Sequence, residues 1–213
     1  SLSVYLVPLI ALMLSHDAIA GEAERGTLLL LLTYPLARWQ LLAGKFLGHL
    51  TVLALALTIG FGLAGIVMAV TQGIDGHDGW ALIKLIASAT MLGATFIALG
   101  YLISVSSRER ATAVGIAIGL WLGMVVLYDL ALIGVLLADT QQMIGQPTVA
   151  GAMAVNPADA FRVFNLTQAG AADVTGINVE GLGIPPALLI LSILLWAVVA
   201  AMLTYLRFQR YEP

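Results

Sequence analysis

The side chains able to do chemistry in this chain are few and scattered. His16, His49 and His77 fall on three different segments, and only Asp75, His77 and Asp78 stand close enough together to offer a cation a loose set of ligands. Three neighbours on one turn converge poorly, so a solvated loop is the expected reading there. The seven methionines form no Met-x-x-Met or Met-x-x-x-Met pair and read as gap-filling core residues rather than soft-metal ligands. Without cysteine there is no disulfide, thiolate metal site or thiol redox chemistry. No Gly-Lys-Ser/Thr loop, His-Glu-x-x-His or Gly-x-Ser-x-Gly motif occurs, which excludes phosphate-loop nucleotide hydrolysis and the simplest intramembrane protease readings. The expectation is a chain with no catalytic residue, no metal site and no cofactor of its own.

The elements that position these residues are set by hydropathy. Hydrophobic residues make up 61% and charged residues 10% of the chain, with mean hydropathy +1.01, against about 25% charged in a soluble domain. This is the composition of an integral membrane protein, expected to be one all-α domain over 1–213. Apolar runs long enough to cross a hydrocarbon core of about 30 Å lie at about 41–70, 80–106, 111–138 and 183–206, with a shorter one at 2–20. The chain opens Ser1-Leu2-Ser3-Val4 inside an apolar run, with no basic leader, and reads as five spans of a six-span protein whose start lies upstream. Seven of the nine Lys and Arg fall in 17–45, 106–110 and the C-terminal tail, which makes that face cytoplasmic. The opposite face carries Asp75, Asp78, Asp139, Asp159, Asp173 and Glu180. No basic block exists to bind nucleic acid.

Within the spans, charge is sparse. Asp129 stands 18 residues beyond Ala111, about 27 Å along a helix, and is expected at the outer interface rather than in a proton relay. Lys84 is expected to snorkel outward. Gly115, Gly119 and Gly123 repeat every four residues, as do Gly44 and Gly48, a spacing that lets helix backbones approach in lipid. Packing inside the bundle is the expected use, ahead of a seam between two copies.

The charged cluster Glu22, Glu24 and Arg25 lies between two membrane-length stretches and must sit at an aqueous face. After it come Gly26, Thr27 and five leucines, 28–32, too few to span, then Tyr34, Pro35, Arg38 and Trp39. Pattern alone leaves two readings, a helix lying on the lipid or an apolar knob offered to a partner. The run Glu24-Arg25-Gly26-Thr27-Leu28, then Pro35, Arg38 and Gly44-Lys45, resembles the permease subunits of type-2 ATP-binding-cassette exporters. The resemblance implies that 22–35 is a cytoplasmic coupling helix docking into an ATPase subunit, with Glu22, Glu24, Arg25, Gly26, Thr27, Leu28 and Pro35 as its contacts. Leu30 departs from the pattern, where many members carry Glu. ATP and magnesium would then belong to the partner ATPase, present in two copies around a homodimer.

A second segment, Asn156-Pro157-Ala158-Asp159-Ala160-Phe161-Arg162, is similar to the outer segment of the subfamily that serves nitrous oxide reductase maturation. That likeness implies a multi-pass protein of the bacterial inner membrane and a periplasmic metal-handling partner. It also implies copper-site assembly as the process served, by export of a copper or sulfur species or by mechanically driving the partner. The outer segment 139–182 is too long for a turn. Asn156, Pro157, Phe161, Arg162 and Phe164 read either as an interfacial cap for that partner or as a lid on the chain's own helices. A lipid or drug exporter of the same superfamily is the alternative.

Overall fold

In hydrocarbon every backbone polar group must be paired within the chain, so the apolar runs have to fold as helices. The computed structural model describes residues 2–33, 37–72, 76–139, 145–168 and 184–210, without the side chains of 32, 72 and 76–78. Pro35, Asp75, Asp173 and Glu180, and the side chains of His77 and Asp78, lie outside the described residues. The elements are α1 (Ser3–Ser15), α2 (Ala20–Glu24), α3 (Thr27–Leu32), α4 (Arg38–Gln72) and α5 (Gly76–Ser106). They continue as α6 (Arg110–Trp121), a π-helical turn (Leu122–Leu127), α7 (Tyr128–Ala138), α8 (Gln146–Val155), α9 (Pro157–Gln168) and α10 (Pro186–Gln209). Among the described residues five stretches are long and apolar enough to cross a membrane: Ser3–Glu24, Arg38–Thr71, Gly79–Ser106, Arg110–Ala138 and Pro186–Gln209. The all-α polytopic bundle expected from hydropathy is what the chain adopts.

Helix α5 is the axis. Helices α1, α4 and α10 pack along it, and α9 lies across its far end. Leu12, Leu92, Phe96, Ile97 and Ile193 fill the resulting core. Thr95 ties two of these helices by donating its hydroxyl to the Ile193 carbonyl at 3.0 Å. The first span is not one straight rod. Between α1 and α2 the helix breaks, and the freed amides of Ile19 and Ala20 both donate to the Ser104 hydroxyl, at 2.9 and 3.0 Å. One buried serine on α5 thus satisfies the backbone that the break would otherwise leave unpaired.

The span α6–α7 stands at the periphery, with only a small part of its apolar surface covered by the rest of the chain. This corrects the expectation for Gly115, Gly119 and Gly123. A Cβ on any of them would meet nothing within 4 Å, and the same holds for Gly44 and Gly48, so neither stripe packs inside the bundle. Large apolar side chains such as Leu55, Ile59, Leu63, Leu137 and Val198 face outward along α4, α7 and α10, as lipid-facing positions do.

The candidate coupling segment and the outer lid

At the basic end of the bundle, polar contacts join every span. Arg38 donates to the carbonyls of Phe208 and Gln209 at 2.8 and 2.7 Å, and Arg207 reaches the Ser106 hydroxyl. The cluster that the sequence singles out is woven into this end. Half-buried Glu22 forms an ion pair with Lys45, whose ammonium also donates to the Ala18 carbonyl at 2.7 Å. Glu24 accepts the backbone N–H of Arg110 at 3.1 Å, and the Arg110 side chain pairs with Asp17 at 3.3 Å. A carboxylate there satisfies an orphan amide at the start of α6 and complements its dipole. Asp17, Glu22, Arg25, Lys45 and His49 line a polar hollow of about 360 Å³.

Gly26 has φ +72, the left-handed conformation in which glycine is the least strained residue, and it turns the chain from α2 into α3. Thr27 donates its hydroxyl to the Glu22 carbonyl at 3.3 Å and so closes that turn. Leu28 is buried, whereas Leu29 and Leu30 are 52% and 65% exposed. An apolar knob therefore projects beside the exposed Arg25. The structure places Glu22, Glu24, Arg25, Gly26, Thr27 and Leu28 together at one end of the molecule, though Glu22 and Glu24 are spent on intrachain contacts.

At the opposite end, α8 and α9 form a lid. Asn156 breaks the helix between them: its side-chain oxygen accepts the Ala158 amide at 2.9 Å, and Pro157 follows at the first helical position. The side-chain nitrogen of Asn156 donates to the Met124 carbonyl, in the π-helical turn, at 2.6 Å. Tyr128 donates to the Ala152 carbonyl at 2.7 Å, and the Trp196 indole to the Val155 carbonyl at 2.8 Å. Ser88 and Lys84 on α5 hold the lid through Asn165 and Gln168, at 3.2 and 2.7 Å. Lys84, expected to snorkel outward, is bound into the lid rather than reaching solvent.

Of the two readings of this segment, burial within the single chain fits the lid on the chain's own helices. Phe161 is 1% exposed, Asn156 and Pro157 are buried, and Phe164 is half-buried against the core. The reason is that α9 lays its apolar face on α1, α5 and α10. Arg162 points inward too, gripping both carboxylate oxygens of Asp129 at 3.0 and 2.5 Å. Its Nη1 also lies 3.1 Å from Asp159 Oδ1, an ionic contact without hydrogen-bond alignment. Burial, together with the neighbouring Asp129, raises the Asp159 carboxyl to about 7, while Arg162 opposes the shift. Burial works against charge on Arg162 as well, but Asp129 and Asp159 outweigh it and hold the guanidinium protonated.

Asp129 and Asp159 were the residues that sequence reasoning undervalued. Asp129 is the single charge between 111 and 138 and Arg162 the lone arginine on the outer side, a pairing that the cost of unpaired charge near hydrocarbon points to. Among the described residues no three His, Asp or Glu side chains gather as a metal site would need.

The family profile described as ABC-2 family transporter protein matches residues 2–212. The chain belongs to the ABC-2 transporter family. Two relatives of this permease are each named "Probable ABC transporter permease protein NosY". The protein from Stutzerimonas stutzeri is 41% identical over 215 residues, covering 99% of this chain and 78% of the relative. The one from Pseudomonas aeruginosa is 41% identical over 218 residues, with the same coverage. The permease is thus a multi-pass membrane protein similar to NosY along nearly its whole length.

Proposed function

We propose that this ABC permease works as a homodimer with two ATPase subunits in the bacterial inner membrane, its basic end cytoplasmic and its lid periplasmic. The ATPase holds ATP and magnesium and receives the segment 22–35, with Leu29 and Leu30 as the knob and Arg25 as its charged flank. The process served is maturation of the copper sites of nitrous oxide reductase. The observation that carries this reading is the 41% identity to NosY across 99% of the chain.

Between export of a copper or sulfur species and mechanical drive of a periplasmic metal-handling partner, the packing favours the second. The buried hydroxyls of Ser15, Ser104, Thr95 and Thr204 bond to neighbouring backbone rather than facing a common path. Three well-formed hollows among the described residues lie at the flanks and the basic end, and the two at the flanks are lined mainly by apolar side chains. The test is deletion and complementation in a denitrifying host, reading the copper content and visible spectrum of purified reductase. A reductase lacking its normal copper complement is expected, restored by the intact gene and not by a Leu29→Asp/Leu30→Asp variant. Full copper loading in the deletion strain rejects the maturation role.

A further inference from the structure

We propose that the span α6–α7 is a strut joining the coupling segment to the outer lid, and that Arg162, held by Asp129 and Asp159, is the joint at its outer end. The proposal rests on the ATP-driven reading above. Most of the apolar surface of this span is uncovered. Along α6 it rests on α1 and α5 through Ala113 and Ala117, and the Trp121 indole donates to the Tyr5 carbonyl at 2.9 Å, but two clusters of polar contacts join it to the coupling segment and to the lid. At the basic end, Glu24 and Asp17 on the first span grip Arg110, the first residue of α6, through backbone and side chain. At the far end, Arg162 grips Asp129 on α7, Asn156 grips the Met124 carbonyl, and Tyr128 grips α8.

Between those ends the covering is slight, so displacement of α2 has a continuous rod along which to reach α9. The rod contains one irregularity, the π-helical turn Leu122–Leu127, and the lid binds directly to it. Such turns are places where a helix changes register or bends. The titratable groups that face Arg162 come from three elements: Asp129 on α7, Asp159 on α9 itself, and the neutral Tyr5 phenol on α1. The Asp129 carboxylate, gripped through both oxygens by the Arg162 guanidinium, makes a charged and directional joint in a poorly hydrated place, unlike the apolar packing elsewhere on α9. Arg162 and Asp129 are positioning residues in this account.

The test uses the permease with its cognate ATPase in lipid nanodiscs. Because the chain has no cysteine, Val163→Cys, on the buried face of α9 in the lid, is its single thiol target for a membrane-impermeant maleimide. ATP is expected to accelerate labelling by about tenfold as the lid opens locally. In Asp129→Asn and Arg162→Gln the ratio with and without ATP should fall to about one while ATPase copurification and hydrolysis persist, with partial recovery in Arg162→Lys. A merely structural ion pair would lower thermal stability in these variants and leave the ratio intact, and that result overturns the strut. If the charge variants fail to assemble, Asn156→Ala, which breaks the lid-to-turn bond without touching a charge, decides by the same ratio. No effect of ATP on labelling in the otherwise unaltered chain overturns the mechanical reading itself.

Discussion

Glu24 and Arg25 are neighbours with different duties. Glu24 holds the start of α6, whereas Arg25 is exposed beside the leucine knob. Glu24→Ala should therefore destabilise the permease by about 1 kcal/mol, as loss of a capping acceptor does, in addition to any effect on the ATPase. Arg25→Ala should leave the melting temperature of the isolated permease unchanged and weaken ATPase copurification. Equal retention of the ATPase in both variants would remove the coupling role from this flank. Asp159 carries a separate prediction. Its carboxyl holds its proton up to about 7 in the fold but releases it near 3.8 when unfolded. Between those values the folded state binds more protons, so the stability contributed by this group is present at low pH and is lost as pH rises toward 7. Thermal unfolding in nanodiscs from pH 4.5 to 8 should show a falling melting temperature, and Asp159→Asn should flatten the slope.

At the scale of elements, the spans were legible because length and hydropathy are local properties of the chain. The stretches expected at 41–70, 80–106, 111–138 and 183–206 became Arg38–Thr71, Gly79–Ser106, Arg110–Ala138 and Pro186–Gln209. His16 and Asp17 mark the place where α1 ends, but what satisfies the break was not legible, since the serine that does so lies 85 residues away from Ile19. Nor was the inward turn of Phe161 and Arg162, because Asn-Pro marks where α9 starts but not which face it buries. The turn at Gly26 was readable as a breaker, and its left-handed conformation gives that breaker a cost. Gly26→Ala should strain the α2–α3 junction by about 1–2 kcal/mol, although a Cβ there has open space around it. The knob would swing away from Arg25 rather than unfold, so ATPase copurification should drop while the helical circular dichroism of the permease stays constant. Unchanged copurification would show that the direction of α3 does not matter to the partner.

The whole molecule is a hub with a loosely attached arm: α5 is clasped by α1, α4 and α10, whereas α6–α7 rests on α1 and α5 along α6 and leaves most of its apolar surface uncovered. In lipid no hydrophobic effect drives the hub together, so close packing and hydrogen bonds between helices have to supply its cohesion. The closest approach is at Gly100 on α5, where an added Cβ would fall 1.9 Å from the Ser15 hydroxyl oxygen and 3.5 Å from the His16 amide nitrogen. Ser15 cannot simply rotate away, because its hydroxyl donates to the Ala11 carbonyl at 2.7 Å in a fully buried site. The two helices must separate to admit even a methyl group, which for overpacking in a dense interior costs typically about 1–3 kcal/mol. That separation would loosen the same end of the bundle at which Ser104 holds the Ile19 and Ala20 amides, one turn further along α5. Gly100→Ala should consequently lower the melting temperature of the permease and weaken ATPase capture together. Gly119→Ala, in the open stripe of the strut, should change neither the packing nor the stability of the single chain. A Gly100→Ala permease as stable as the original would mean that α1 and α5 are not held at the separation that carries the coupling segment.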